Sequence, residues 1–232
     1  MYYLCPVKRL TRIWVWCKRI RHLNGFGVQS PFAYSFIHTV LYRKLTKNER
    51  RNLQKSTKAL PWEVCHPLPQ RVLRLFYKLA QYSAPTSVIY IEKEFTGGNR
   101  AFMEGCQCPA ELFLETAPTK RQDTPAMTTH LPYHSGDLVE KLRQRFLTHS
   151  FADLIYLDSN VKNADILCAL SLARCRQNSM LVIGNIYAHP ANRELWQRLT
   201  EDPRTGIAFD LYDVGIILFD KHYHPQCYTI EF

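Results

Sequence analysis

The first 48 residues contain no aspartate and no glutamate, although the 232-residue chain has 20 acidic residues in all. Lys8, Arg9, Arg12, Lys18, Arg19, Arg21, Arg43, Lys44 and Lys47 stand in that stretch, so of a formal charge of +10 only +1 is left for residues 49–232. The chain reads as a nearly neutral body behind a cationic front end. No apolar run approaches the roughly 20 residues that span a bilayer. Met1–Leu23 has neither the unbroken apolar stretch nor the small-residue cleavage site of a secretory signal. A cytoplasmic protein that does not cross the membrane is the expectation. There is no internal repeat and no low-complexity tract. With 46% hydrophobic and 22% charged residues the composition excludes wholesale disorder. Second close cysteine pairs are missing too. Cys106-Gln-Cys108 stands without one, and a structural zinc wants four ligands. Assembly with Cys65, His66, His130 or His134 would need long-range coincidence, so no metal is expected and the eight scattered cysteines read as reduced thiols.

What is present is helical first and alternating afterwards. Leu10, Ile13, Trp14, Cys17 and Ile20 recur at spacings of three and four within residues 8–23, with basic residues between them, which predicts an amphipathic helix. Trp14 and Trp16 among those cations suit either a helix packed on the core or contact with nucleic acid or an anionic surface through residues 8–21. Ser30-Pro31 is a helix start, followed by the stripe Ala33, Phe36, Ile37, Val40 and Leu41. Lys44–Lys58 reads as a linker or exposed helix end. A third helix carries Val72, Leu75, Phe76 and Leu79 before Pro85.

From residue 86 short apolar runs alternate with helical stripes. Strands are predicted at 87–91, 111–114, 153–157 and 179–183. Helices lie between them: one opened by a capping box of Asp137 and Glu140, one capped by Asn163 with stripe Ile166, Leu167 and Leu170, and one opened by Pro190 with Leu195, Trp196 and Leu199. Three more strand-like runs close the chain at 206–211, 214–219 and 227–232. The alternation predicts an α/β fold, doubly wound around a mostly parallel sheet, with at least one antiparallel strand near the end. The division expected is an N-terminal helical extension over 1–83 and an α/β domain over 84–232.

Ligands of doubly wound sheets sit beyond the carboxyl ends of the strands. The residues there are Glu92–Asn99, Glu115, Asp158–Asn160 and Gly184–Tyr187. Gly97-Gly98 lets backbone N–H groups approach a ligand. Glu115, 23 positions after Glu92, stands near the spacing at which an acid holds ribose hydroxyls. The first loop has neither GxGxxG nor GxG. Read alone, these residues fit either a nucleoside site or a solvated turn.

Several segments resemble bacterial class I S-adenosylmethionine-dependent methyltransferases. Asn24–Phe32 (NGFGVQSPF) is similar to an opening of the form HGFGIHSPF, and Asp153–Asn160 (DLIYLDSN) to DFVYIDGNH. Ser179–Tyr187 resembles SVFIFDDIY, residues 193–219 follow a pattern like EAWEEIKNHP…IDLFDMGIVFF, and Tyr228–Phe232 resembles FTIRF. The likeness covers residues 12–42 and 70–232. It implies a Rossmann-like methyltransferase fold, S-adenosylmethionine as cofactor and an acceptor substrate, with Gly97, Gly98, Glu115, Asp158 and Asn160 at the cofactor.

The departures cluster at one place. Where the family's first loop reads ILELGTSLGIST, this chain has Val88-Ile-Tyr-Ile-Glu-Lys-Glu-Phe-Thr-Gly-Gly-Asn99. Tyr90 replaces the acid and Glu92 the first glycine, where a side chain would crowd the methionine end. Paired aspartates become Gly184-Asn185, and a histidine becomes Val161. The sequence is therefore consistent with a methyltransferase acting on an unidentified acceptor or with a non-catalytic relative serving as a binding or structural module. Phe32, Phe36, Ile37 and Val40 are expected to be buried; exposed, they would mark a homodimer or partner surface. No catalytic residue is assigned.

Overall fold

A computed structural model describes residues 19, 27–58, 63–64, 66–119 and 133–232. The amphipathic stripe of residues 8–23 lies outside the described residues apart from Arg19, as do Cys65 and His130.

The Ser30 hydroxyl accepts the Ala33 N–H at 3.3 Å, and Pro31 occupies the first turn of helix α1 (Pro31–Phe36). The helix runs on into one π-helical turn, Ile37–Leu41. The Leu41 carbonyl accepts a hydrogen bond from Lys78 Nζ, whose ammonium is pushed down to about 8 by burial and, secondarily, by Arg43 and Arg74. Phe36, Ile37 and Val40 are buried as expected, whereas Phe32 is half-buried and stacks on Tyr223 at 4.3 Å.

Lys44–Lys58 is mostly helix rather than linker: α2 spans Lys47–Lys58. Its start is a reciprocal capping box in which Glu49 N–H donates to Thr46 Oγ1 (3.3 Å) and Thr46 N–H to Glu49 Oε2 (2.7 Å). Only Leu53 among its residues is buried, so an apolar stripe gave no warning of it. Helix α3 (Gln70–Ser83) ends at Ala84, held at φ 41°.

The sheet contains β1 (Val88–Glu92), β2 (Ala110–Leu114), β3 (Tyr133–Ser135), β4 (Leu154–Asp158), β5 (Met180–Gly184), β6 (Ile207–Asp210), β7 (Val214–Leu218) and β8 (Gln226–Thr229). Their order is β3-β2-β1-β4-β5-β7-β6-β8. Every described pairing is parallel except the two that β7 makes, with β5 and with β6. The expected doubly wound sheet with a late antiparallel strand is therefore present, and β1 beside β4 forms the switch point.

Side-chain alternation divides the core in two. Val88, Tyr90, Leu112, Tyr156, Val182, Phe209 and Ile216 join one cluster with α1, α3 and helix α4 (Gly98–Cys106). Ile89, Ile91, Phe113, Ile155, Leu157, Leu181 and Ile217 join the other with α5 (Leu138–Thr148), α6 (Ala164–Leu172) and α7 (Pro190–Glu201). Both faces are covered, which is why the strands read as unbroken apolar runs.

Three local expectations need correction. Helix α4 was not anticipated, because a left-handed Gly97 (φ 76°) starts it where a loop was expected. Asn163 stands at the start of α6 but with φ 58° and no side-chain cap. Ile166 is 40% exposed and Leu167 carries the buried stripe. At the start of α5 the Asp137 half of the expected capping box does form, accepting the Val139 and Glu140 N–H groups. Among the described residues no helix is long and apolar enough to cross a membrane.

Candidate cofactor crevice at the carboxyl edge of the sheet

The C-terminal ends of β1, β2 and β4 bring Glu92, Glu115 and Asp158 to one edge. Glu92 ends β1 with a side chain on the α3–α4 face, and it is 1% exposed. Its two oxygens accept from the Thr96 N–H (3.0 Å) and the Thr96 hydroxyl (2.6 Å). Burial is the largest influence on this carboxyl and raises its pKa to about 8; the Thr96 hydrogen bonds oppose the shift and the Asp158 charge adds to it. At neutral pH it is mostly protonated. The loop N–H of Thr96 is thus engaged by the protein's own carboxyl group.

The volume behind that loop is filled by aromatic rings. Tyr90 and Tyr156 stack at 4.3 Å with planes 17° apart, backed by Phe76 and Phe102. A β-carbon on Gly98 would lie 2.1 Å from the Tyr90 hydroxyl, and one on Gly184 2.3 Å from the Tyr156 hydroxyl. Each glycine is needed because a tyrosine hydroxyl occupies its side-chain space. Gly97 supplies the left-handed residue that lets α4 begin beneath the loop. The Asn99 amide, in the first turn of α4, is wholly buried and unpaired at both atoms among the described residues. Such a group is where a ligand or an ordered water completes a site.

Asp158 Oδ1 accepts the Asn160 N–H at 2.9 Å and Asn185 Nδ2 at 2.6 Å. Burial dominates and raises its pKa, while those two bonds pull the other way. The Asn160 side chain turns toward α7, accepting from Asn192 Nδ2 at 2.9 Å. Asp158 and Asn160 therefore brace the loops after β4 and β5. Val161 is buried among the α6–α7 residues.

Glu115 lies one residue beyond β2, its backbone N–H bonded to the Glu92 carbonyl at 3.1 Å. One carboxylate oxygen accepts the Lys162 N–H at 3.1 Å. The side chain borders a surface pocket of about 310 Å³, lined also by Gly136, Asp137, Leu138, Val139, Lys162 and Asn163. The structure thus gathers Gly97 and Gly98 around Glu92, and separately places Glu115 at an open pocket. Sequence reading missed the pocket's other walls, although the cap at Asp137 marked where one of them begins.

Cys106 and Cys108 donate to the carbonyls of Phe102 and Thr86, while His134 stacks on Phe113 at 4.6 Å on the opposite face. Among the described residues no group of three or more His, Cys, Asp or Glu could hold a metal ion.

No protein-family model matches the sequence, and no curated protein does. Solved structures match in fold. One is an SAH-bound methyltransferase of Podospora anserina, 14% identical over 94% of this chain and 99% of that one, with a TM-score of 0.53. Another is an O-methyltransferase from Bacillus cereus in complex with SAH, 10% identical over 79% of this chain and 96% of that one, with a TM-score of 0.51. The fold is that of these methyltransferases. At such identities the likeness is one of architecture, and the chemistry must be argued from the crevice.

Proposed function

We propose that this chain is a divergent S-adenosylmethionine-dependent methyltransferase that holds its cofactor chiefly by the adenosyl end. The observation that carries the reading is Glu115. It stands after β2, next to the switch point, at the border of an open pocket, with a single hydrogen bond to its carboxylate among the described residues. A carboxylate so placed suits the two hydroxyls of a ribose, and the pocket between Gly136–Val139 and Lys162–Asn163 suits a base. Gly97 and Gly98 open α4 at the same edge of the sheet. Bound there, S-adenosylmethionine would supply an electrophilic methyl group. The protein's own task is to align an acceptor with it and exclude water.

The methionine end does not fit the arrangement around Glu92. Its carboxyl group takes the Thr96 N–H, and the Tyr90 and Tyr156 rings fill the space beneath. This observation favours a second reading, in which the fold serves as a nucleoside-binding or structural module without methyl transfer.

Calorimetric titration with adenosine and with S-adenosylhomocysteine separates the two. Tighter binding of S-adenosylhomocysteine than of adenosine supports cofactor use, because the amino-acid tail then adds contacts. Equal affinities support the nucleoside module. Binding of neither ligand at millimolar concentration rejects both forms of the adenosyl site.

A further inference from the structure

Beyond the crevice, the loops after β5 and β6 build a second polar centre. Asp210, 4% exposed, receives the Arg19 guanidinium twice: Nη2 donates to Oδ1 at 3.0 Å and Nη1 to the backbone carbonyl at 3.2 Å. The Tyr187 hydroxyl donates to Oδ2 at 2.7 Å, and the Tyr212 N–H to Oδ1 at 2.8 Å. The rings of Tyr187 and Tyr212 lie nearly parallel, 12° apart, with centroids 5.2 Å from each other. The guanidinium carbon stands 5.5 Å from the first centroid and 5.2 Å from the second. Arg193 approaches the Tyr187 ring as well, at 5.9 Å. Tyr212 is held at φ 72°, a left-handed conformation costly for a bulky residue, and this is the residue that completes the ring pair.

A buried carboxylate, a carbonyl on the same residue and two stacked phenol rings match a planar, doubly donating cation better than a compact ammonium. Among the described residues the cation bonded to Asp210 is Arg19, 191 positions away in sequence. The centre also touches the crevice through Asn185, whose N–H donates to the Asp213 carbonyl at 2.8 Å and whose amide donates to Asp158.

We propose that Asp210, Tyr187 and Tyr212 form a binding site for an arginine side chain, with Arg19 as its internal occupant. Removing Arg19 then frees the site for an arginine side chain supplied from outside. The inference is independent of whether a nucleoside binds at Glu115.

The test uses the full chain with Arg19→Ala, titrated by calorimetry with Nα-acetyl-arginine amide, free arginine and Nα-acetyl-lysine amide. An internal competitor acts at roughly millimolar effective concentration. For a site Kd of about 0.1 mM such a competitor weakens apparent binding by about tenfold, so the variant should bind Nα-acetyl-arginine amide about tenfold more tightly than the unmodified chain. The lysine analogue should bind about tenfold more weakly than the arginine one. Weaker binding of free arginine than of its capped form identifies a peptide-borne side chain as the source; the reverse identifies the free amino acid. Adding Asp210→Asn to Arg19→Ala should abolish binding while the melting curve stays cooperative. A folded Arg19→Ala chain that binds neither arginine form overturns the proposal. So does an Arg19→Ala chain that is unfolded at 25 °C, since Arg19 is then only a structural anchor.

Discussion

The Tyr156 hydroxyl lies 2.3 Å from where a β-carbon on Gly184 would stand. The glycine that ends β5 and the tyrosine in β4 are two halves of one packing solution. The phenol from the neighbouring strand takes the space that a side chain at position 184 would need. Tyr90 and Gly98 repeat the arrangement on β1. The two tyrosine–glycine pairs are thus a coordinated filling of the crevice floor rather than unrelated features.

Gly184→Ala should therefore destabilise the protein by about 1–3 kcal/mol, the usual cost of overpacking a dense core. Removing the hydroxyl with Tyr156→Phe should recover part of that loss, because the nearest atom is then the ring carbon at 3.0 Å. Chemical denaturation of the two single variants and the double variant measures the coupling. Additive losses would show that the hydroxyl and residue 184 do not compete for the same space.

Glu92 gives stability a pH dependence of definite sign. Its native pKa, about 8, lies above its ordinary value of 4.5. Between those values the folded chain keeps a proton that the unfolded chain has released, so stability falls as pH rises from 4.5 through 8. Asp158, also raised by burial, adds to the same trend. Lys78 acts oppositely, gaining stability as pH rises, but between about 8 and its ordinary 10.5. Melting temperatures should decline from pH 5 to pH 8, and Glu92→Gln should flatten that decline. An unchanged slope in Glu92→Gln would mean that Glu92 does not hold the proton.

Much of the architecture was legible because the central strands are buried on both faces and most helices on one. Val88–Ile91 and Leu154–Leu157 declared themselves as apolar runs, and Leu195, Trp196 and Leu199 as a stripe. Helix α2 did not, since it buries only Leu53 and depends on the Thr46–Glu49 cap. Helix α4 hid behind Gly97, which supplies a left-handed residue, and Gly98, whose side-chain space the Tyr90 hydroxyl takes. Within the site, Glu115 and Glu92 could be singled out by their place after a strand. The partnership of Glu92 with Thr96 could not, because it depends on how the loop folds back. Arg19 and Asp210 meet across almost the whole chain, and no local pattern signals such a pair.

The helices before residue 84 share one core with the sheet, and Phe36 stacks on Phe209 at 4.7 Å. A 61–232 fragment would strip α1 and α2 from that face and expose Phe209, Ile207 and Leu218. It should be insoluble or molten, with dye binding and no cooperative melt. In the full chain, Phe36→Ala should cost about 3–5 kcal/mol. A soluble, cooperatively folding 61–232 fragment would show that the N-terminal helices are an appendage.

The crevice itself is tested by two substitutions with opposite expectations. Glu115→Ala should weaken adenosine binding by about one to two decades, since a charge-assisted hydrogen bond contributes on the order of 1.5–3 kcal/mol. Glu92→Gly should leave adenosine affinity unchanged, because Glu92 is not among the residues that line the pocket beside Glu115. It releases the Thr96 N–H and removes a buried carboxyl group from the position that the amino-acid end of the cofactor would take. S-adenosylhomocysteine should then bind more tightly than to the unmodified chain, by about tenfold if one comparable hydrogen bond is gained. Calorimetry on the three chains reads both effects. If Glu92→Gly binds S-adenosylhomocysteine no better than it binds adenosine, Glu92 is not what closes the methionine end, and the stacked tyrosines are the remaining obstruction.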